Sequence, residues 1–542
     1  MMTVFVFCAV CLLPMMAMRD FTPSNELRYL SIADEAIANG HLFAFYNHGI
    51  PYADKPPLYF WIVMLCRLLF GHHSCLALSM FSLIPAFAIV GIMDRWVMKG
   101  KSAMNRMSVA GMTLTCVMFL GTMVVLRMDM LMCLFIVLAL RTFYRMYTGE
   151  GSRRQDSLTL PLWIFLALFT KGPVGLLMPL LAIAVFLAVK RDWKGFRKYL
   201  GLKTWGIIAA LSAVWLTCVW LEGGLEYINN LLFKQTVGRA VNAFTHARPF
   251  WFYLVTILWC LAPYTLLLIG SFMASLLPVR KAGAEKVSDL EILFLSTIIS
   301  TVAMLSSFSS KLPIYLVPVF PFCVYLFPTV LDRIGERGWM RWSVGIFQIL
   351  LLCAGIATLL FLSGSVTIPA AACLLDEYSF AREAPVVNAV ILLTLANAMG
   401  TWFLIKRKSV NIPALLLSAG LFLAAFSASA VLRDLNPYIG YGSICSRVPE
   451  GTDVATIFLH RPENIDVYTG RQITDFGDDP AKLSEAVKAH IELTGKNVGP
   501  GRPLTIITRT SRMETTPELQ KLFSEGTVIY AGPYCLTTIS RK

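Results

Sequence analysis

A succession of apolar segments, most of them close to the length that crosses a bilayer, constrains this fold more than any other feature. Twelve such segments follow one another after residue 74, separated by short polar loops, and an apolar run of 18 residues opens the sequence. A helix needs about 20 apolar residues to span the hydrocarbon, and only helices and closed barrels satisfy their backbone there. The sequence therefore predicts a polytopic α-helical membrane protein with about thirteen transmembrane helices.

Alternating loop charge gives the predicted orientation. After Met1 to Met18, the predicted spans lie near residues 75–97, 107–126, 130–147, 158–170, 173–189, 204–221, 250–276, 289–306, 313–331, 342–363, 386–405 and 411–431. Every second loop is rich in Lys and Arg, which is typical of cytoplasmic loops. The opposite loops, and everything after residue 431, are therefore expected on the outer side of the membrane, away from the cytoplasm.

Composition supports this class and excludes others. The chain is 56% hydrophobic and carries a net charge of +14, with a mean hydropathy of +0.65. The basic residues fall in short runs between apolar segments, which indicates membrane topology rather than a nucleic-acid partner. The 13 Cys lie mostly inside apolar runs, so they indicate neither a disulfide scaffold nor a zinc site.

The polar stretch after the first apolar run is unusual for a chain with only 15% charged residues. It holds a helical pattern from Asn25 to Gly40 and a short apolar helix from Pro57 to Gly71, too short to span, which we expect to lie in the membrane interface. We therefore predict a first outer loop at 19–72 with juxtamembrane helices. Its charged residues indicate either a solvated loop or a chemical site, and they are Asp20, Glu26, Arg28, Asp34, Glu35, Asp54 and Lys55.

Further polar residues fall on the same predicted side. Asp129 opens a span, where an acid is either paired with a nearby cation or functional. Cations there run against the positive-inside bias and indicate an anionic ligand, although each alone fits a solvated loop. The cations in question are Lys171, Arg239, Arg248 and Lys311, with His246 beside them. Carboxylates and cations at a membrane surface suit a lipid-phosphate substrate, whose phosphate the cations would hold as it leaves.

Six motifs in order carry a family resemblance across residues 19–320. They are Pro23-Ser24-Asn25-Glu26-Leu27-Arg28-Tyr29, Tyr52-Ala53-Asp54-Lys55-Pro56, Met128-Asp129, Thr170-Lys171-Gly172, His246-Ala247-Arg248-Pro249-Phe250-Trp251 and Lys311-Leu312-Pro313-Ile314-Tyr315. This set resembles the membrane glycosyltransferases of C-type fold that use polyprenyl-phosphate sugars. Within that protein-mannosyltransferase-like superfamily, it is most similar to the lipid A aminoarabinose transferases.

The resemblance implies a glycosyltransferase that moves a sugar from undecaprenyl phosphate to an outer-leaflet acceptor such as lipid A. It implies carrier-phosphate contacts at Lys55, Arg248 and Tyr315, and allows a divalent metal ion held by Asp54 and His246. The wider set of expected substrate-binding residues adds Arg28, Tyr29, Tyr52, Lys171 and Lys311.

Two positions depart from the family pattern, which has Asp where this chain has Asn25 and Glu where it has Asp54. Asn cannot act as a base, so proton abstraction would fall to Glu26, Asp129, Asp54 or Asp20. An acceptor phosphate is already nucleophilic and needs no strong base, whereas a hydroxyl acceptor would need one. Asn25, Glu26, Asp54 and Asp129 are thus the candidate catalytic residues.

Two other functions stay open. The same donor chemistry could serve a protein Ser/Thr or an envelope glycan, or the chain could transport a lipid-linked sugar. A transporter predicts charged residues in mid-span, whereas the ionisable residues here crowd one surface.

The last part of the chain differs in composition. Residues 432–542 alternate short β-like runs (Asp453–Leu459, Leu504–Thr508, Thr527–Tyr530) with helical ones (Pro480–Leu493, Pro517–Phe523). We therefore predict a membrane domain at 1–431 and a small periplasmic α/β domain at 432–542.

Overall fold

The protein is a bundle of apolar helices joined to a small mixed sheet. The structure, a computed structural model, describes residues 1–233, 247–276, 286–366, 369, 373, 378–407, 409–471, 473–493 and 502–539. The predicted site residues Arg239 and His246 lie outside these ranges.

The first half of the chain forms eleven labelled helices and one hairpin. The helices are α1 Met2–Met18, α2 Arg28–Asn39, α3 Leu58–Phe70, α4 Cys75–Val97, α5 Ala103–Thr115, α6 Val117–Met123, α7 Asp129–Thr148, α8 Arg153–Lys171, α9 Pro173–Val189, α10 Trp193–Tyr199 and α11 Leu202–Asn229. A π-helical turn, Pro23–Leu27, precedes α2. Strands β1 (Tyr46–Asn47) and β2 (Ile50–Pro51) form an antiparallel hairpin between α2 and α3.

The second half continues the bundle and then leaves it. Its apolar helices are α12 Phe252–Cys260, α13 Thr265–Leu276, α14 Asp289–Ser307, α15 Phe320–Ile334, α16 Gly338–Leu362, α17 Ala384–Arg407 and α18 Asn411–Ala428. A 3₁₀ turn, Pro313–Val319, runs directly into α15. The short α19 (Leu432–Ile439) then leads to the sheet.

The helical fold confirms a polytopic membrane protein. Within the described ranges, eight helices are long and apolar enough to cross a membrane, or up to ten if each bent pair is one span. The predicted number of thirteen stays a prediction, because α1 and α9 have only 17 residues each.

Two predicted spans are interrupted. The span predicted at 107–126 bends by 74° between α5 and α6. At this bend Val117 N donates to the carbonyl of Ala262, 2.9 Å away, instead of continuing the helical ladder. The span predicted at 250–276 is split into α12 and α13 around Pro263, which has no N–H to donate. Neither break can be predicted from hydropathy, because both segments are apolar throughout.

Two short helices, α2 and α3, lie within residues 19–72, and the placement of this segment as an outer loop stays a prediction. Helix α2 ends at Gly40 and α3 at Gly71, each in the left-handed region that favours glycine. One face of α3 is buried, while the other exposes Leu65, Leu68, Leu69 and Phe70, each at least half exposed. An apolar exposed face on a short helix is typical of a helix lying in the membrane interface.

The end of the chain contains a five-stranded sheet of order β4-β3-β5-β7-β6. The strands are β3 Asp453–Thr456, β4 Ile473–Asp475, β5 Leu504–Arg509, β6 Val528–Ala531 and β7 Tyr534–Ile539. Three of them match the predicted strands, and the predicted helices are present as Pro480–Leu493 and Pro517–Ser524. The sequence analysis missed β4 and β7. The domain boundary at 431/432 stays a prediction.

Candidate functional site

The residues that directly follow the β1–β2 hairpin lie in a buried polar group. The Lys55 ammonium donates to Asp54 Oδ2 at 2.9 Å, and the Tyr52 hydroxyl donates to the same oxygen at 3.2 Å. Both charged side chains are largely buried, 17% exposed for Lys55 and 13% for Asp54. Burial by itself lowers the pKa of Lys55, but Asp54, Tyr29 and Tyr315 together offset this and raise the pKa above its ordinary value. Lys55 is therefore held as a cation.

The turn into α2 adds a second cation to this group. The Arg28 guanidinium lies 5.4 Å from the ring centroid of Tyr52 and 6.0 Å from that of Tyr29, within the range of cation–π attraction. Its Nη2 donates to Asn25 Oδ1 at 3.2 Å, while its buried Nε has no hydrogen-bond partner. Asn25 thus accepts a hydrogen bond from Arg28, a role that does not require a base.

A second group forms where the start of α7, the end of α8 and the 3₁₀ turn before α15 meet. Asp129 at the start of α7 accepts a hydrogen bond from Lys171, the last residue of α8. The pair is deeply buried, with 8% of the Lys171 side chain and 2% of that of Asp129 exposed. Lys171 Nζ also lies 4.5 Å from the ring centroid of Tyr315. Three predicted motifs, separated by up to 186 residues, therefore meet here.

Lys55 connects these groups. It interacts electrostatically with Tyr29 and Tyr315 as well as with Asp54, and Lys171 interacts with Lys55 and Arg127. The described cations of this cluster are Arg28, Lys55, Arg127 and Lys171, and the carboxylates near them are Asp54, Asp129 and Glu463, of which Glu463 interacts with Arg28. Buried charge without compensation is costly, so this cluster favours an anionic ligand.

Glu26 lies in a separate and closed network. Arg19 binds its carboxylate bidentately, with N–O distances of 2.9 and 2.7 Å, and the backbone N–H groups of Thr22 and Leu126 donate to it at 2.8 and 2.7 Å. Burial by itself raises the pKa of Glu26, but the ion pair with Arg19 and these hydrogen bonds hold it below its ordinary value. A fully buried carboxylate that accepts this many bonds is suited to fixing the loop to α6–α7.

Arg248 and Lys311 lie together beside the other motifs. Lys311 is buried, and its ammonium donates to the carbonyls of Arg248 (3.1 Å) and Phe308. The Arg248 backbone donates to Ser309 O at 3.4 Å, while its side chain is exposed. Lys311 thus holds two loops together, and the Arg248 side chain remains at the surface.

The described residues do not fit a metal centre. Within the described ranges no three His, Cys, Asp or Glu side chains come together in a metal-binding arrangement. The Asp54 carboxylate is bound by Lys55 and Tyr52. His246, the other expected ligand, lies outside the described residues, so no step below uses a metal.

An apolar groove opens beside Arg248 and Lys311. It has a volume of about 510 Å³ and lies between α12, α13, α14 and α15, with Phe250, Phe272, Val302, Ser306 and Leu326 among its lining residues. Phe250 and Ser306 lie close in sequence to the two basic residues. A groove of this kind, with two basic residues close to its lining in the sequence, is suited to a molecule with a long apolar chain and an anionic head.

Two sets of contacts were not predicted from the sequence. Glu222 and Tyr227 of α11 bind the backbone of the segment that leads to Tyr52. Asp20 binds the part of the chain after the last span, accepting from the Tyr468 hydroxyl at 2.5 Å and from Gly442 N at 2.7 Å. The available signal was weak, because Glu222 is one acid at the end of an apolar run and Tyr468 lies in the tail.

Comparison with known proteins agrees with the geometry. No family model matches the chain. Three curated relatives are named undecaprenyl phosphate-alpha-4-amino-4-deoxy-L-arabinose arabinosyl transferase. The protein from Edwardsiella ictaluri is 24% identical over 62% of this chain, that from Enterobacter sp. 23% over 58%, and that from Erwinia tasmaniensis 26% over 58%. The chain spans 60%, 56% and 56% of the lengths of these relatives.

Solved structures match the whole fold. ArnT from Cupriavidus metallidurans, in a crystal structure bound to undecaprenyl phosphate, superposes with a TM-score of 0.73 over 99% of this chain and 97% of that chain, at 18% identity. The apo form of the same protein gives a TM-score of 0.71. The resemblance found from the six motifs is therefore confirmed, and the fold is similar to that of ArnT.

Proposed function

We propose that this protein is a glycosyltransferase that moves aminoarabinose from undecaprenyl phosphate to lipid A at the outer face of the bacterial inner membrane. The observation that carries the proposal is the cluster of Arg28, Lys55 and Lys171 around two largely buried ion pairs, together with an apolar groove between α12, α13, α14 and α15. That combination fits a phosphate on a polyprenyl chain. The names of the relatives and the ArnT fold support the same donor.

In the proposed reaction the bond between the sugar C1 and the carrier phosphate oxygen breaks, and C1 forms a bond to an acceptor oxygen. The electron pair of the broken bond stays on the carrier phosphate, which leaves as undecaprenyl phosphate. Attack from the face opposite the leaving phosphate inverts C1. Lys55, Arg28 and Lys171 stabilise the charge that grows on the leaving phosphate, with Arg248 and Tyr315 as further contacts.

The acceptor accounts for the missing base. Asn25 is committed to Arg28 and Glu26 to Arg19, so neither is placed to remove a proton. A lipid A phosphate oxygen is nucleophilic without deprotonation, so the chemistry needs charge stabilisation and positioning rather than a general base. In this proposal Asp54 and Asp129 hold Lys55 and Lys171 in place and keep them charged.

The proposal places the cluster and the tail sheet in the periplasm. The basic loops lie at the opposite ends of the helices, where Lys101 pairs with Asp332 and Lys190 with Asp289. The positive-inside rule assigns that end to the cytoplasm. Residues 1–431 then form the catalytic membrane domain and 432–542 a periplasmic domain.

Transfer by the purified protein tests the proposal. The donor is undecaprenyl phosphate-aminoarabinose, and the acceptors are lipid A carrying its phosphates, dephosphorylated lipid A, and a Ser/Thr-rich peptide. Product on phosphorylated lipid A alone supports the proposal. Product on the peptide would assign a protein acceptor instead. Donor crossing the membrane of a vesicle without transfer to any acceptor would indicate a transporter.

A further inference from the structure

The segment that leads to the cationic cluster is held by a helix outside the six motifs. Helix α11 places Glu222 against residues 41–44, which run from the end of α2 towards the β1–β2 hairpin. Its carboxylate accepts from the backbone N–H of Leu42 (2.8 Å), Phe43 (2.9 Å) and Ala44 (3.1 Å). The His41 ring nitrogen Nδ1 lies 3.2 Å from the same carboxylate. One side chain thus binds three consecutive amides.

Tyr227 continues this contact to the other end of the hairpin. Its hydroxyl accepts from Phe45 N at 3.0 Å and donates to the carbonyl of Tyr52 at 2.9 Å. Tyr52 N in turn donates to Phe45 O at 2.8 Å. The hydroxyl therefore closes the base of the hairpin two residues before Asp54.

The two glycines after Glu222 make the close approach possible. A Cβ on Gly223 would lie 2.8 Å from the Ala44 Cβ and 2.9 Å from the Tyr227 Cβ, too close for van der Waals contact. Gly224 has a φ of 73° and a ψ of −176°, which interrupts the helix between Glu222 and Tyr227. This kink lets both side chains point to the same segment.

We propose that Glu222 and Tyr227 are positioning residues for the sugar-phosphate donor. They fix residues 41–52, and through the Tyr52 hydroxyl and its bond to Asp54 they fix the position of the Lys55 ammonium. The inference rests on the proposed function, since it assigns these residues to the placement of a donor-binding cation. Neither residue touches the cluster of Lys171 and Tyr315 in the described contacts.

The test compares donor KM and kcat for purified Glu222→Gln and Tyr227→Phe with those of the wild type. In Glu222→Gln, the side chain keeps one acceptor oxygen but presents an NH₂ group to backbone amides that need an acceptor. In Tyr227→Phe, the ring stays but both hydrogen bonds of the hydroxyl are lost. We expect donor KM to rise by roughly ten- to a hundredfold for Glu222→Gln and less for Tyr227→Phe. The KM for lipid A should stay within about twofold of wild type. Glu226→Gln is the matched control, because Glu226 lies on the same helix with an exposed side chain.

A double variant separates positioning from general stability. If Glu222 acts through Lys55, then adding Glu222→Gln to Lys55→Ala should change the Kd for undecaprenyl phosphate little, although Glu222→Gln alone raises that Kd strongly. Equal effects in both backgrounds, or unchanged donor KM in Glu222→Gln and Tyr227→Phe, would overturn the inference. Failure of the wild type to transfer from this donor would overturn the proposed function instead. In that case, weaker binding of undecaprenyl phosphate by Glu222→Gln but not by Glu226→Gln would still support the positioning role of Glu222. Equal binding by the two variants would refute that role.

Discussion

Lys171 Nζ lies 4.5 Å from the ring centroid of Tyr315, while the same ammonium is bound by Asp129. The Thr-Lys-Gly turn, the acid at the start of α7 and the tyrosine after Pro313 therefore meet at one buried charge. This contact explains why the three motifs occur together in one chain.

Breaking that pair should cost stability. Asp129→Asn leaves the buried Lys171 ammonium without its carboxylate, and removing one partner of a buried pair costs about 3–5 kcal/mol. We expect a clear fall in the detergent-solubilised unfolding temperature. Adding Lys171→Met should restore most of it, because the cavity then holds no charge. Neither variant should retain transfer. An Asp129→Asn protein as stable as the wild type would show that the pair is not what fixes this end of α7.

Lys55→Ala should weaken binding of undecaprenyl phosphate by roughly ten- to a hundredfold, because it removes a charge-assisted bond of about 1.5–3 kcal/mol. A binding assay with labelled undecaprenyl phosphate and purified protein measures this loss of affinity. Lys101→Ala is the control, since Lys101 pairs with Asp332 in a loop of the opposite, basic set. Equal loss in both variants would show that the effect is not local to the cluster.

The Arg19–Glu26 pair predicts a defined pH dependence. The folded-state pKa of Glu26 lies below its ordinary value of 4.5, so the stabilisation is present above pH 4.5 and is lost as the pH falls below that value. The wild type should lose thermal stability in this window, and Glu26→Gln should lose less. Above pH 4.5 the variant should be the less stable of the two.

The control for that titration is Asp434→Asn, because Asp434 is exposed. Its unfolding temperature should run parallel to that of the wild type between pH 3 and 7, measured as a series of melts. A Glu26→Gln curve parallel to wild type would contradict the assigned role of the pair.

The part of the chain predicted as a separate domain, residues 432–542, should detach when its contact with Asp20 is weakened. Burial raises the pKa of Asp20, while the bonds from Tyr468 and Gly442 oppose this rise. Tyr468→Phe removes one of these donors from a largely buried carboxylate, at a cost of about 1–3 kcal/mol. We expect faster proteolysis between residues 432 and 452 in Tyr468→Phe, with Tyr530→Phe, at a half-exposed ring, as the control. Unchanged cleavage would show that other contacts dominate the docking.

The sequence predicts the elements of this fold better than their breaks. The spans around α4, α7 and α14 follow hydropathy closely, because each is continuous and apolar. At the bend after Cys116, the N–H of Val117 donates to the carbonyl of Ala262, which lies 145 residues further along the chain. Such a partner is invisible to a local apolar pattern. Strands β4 and β7 were missed for a similar reason, since short strands are defined by the neighbours with which they pair.

The site shows the same division. Motif order indicated that Lys55, Asp129, Lys171 and Tyr315 belong together, and the structure brings them into one cluster. Motif order could not indicate that Lys311 binds backbone carbonyls or that Arg19 binds the Glu26 carboxylate, because these contacts depend on packing. Glu222 carries no motif at all, and only its contacts identify it.

The most direct test is mass spectrometry of lipid A from cells that have or lack this protein. Complementation with the wild type, Lys55→Ala and Asp129→Asn completes the comparison, with Lys101→Ala as the control. The aminoarabinose mass should be lost from lipid A without the protein. It should return with the wild type and Lys101→Ala, and stay absent with the two site variants. Lipid A that is identical in all strains would contradict the proposed acceptor, and full modification by Lys55→Ala would contradict the role of the cationic cluster.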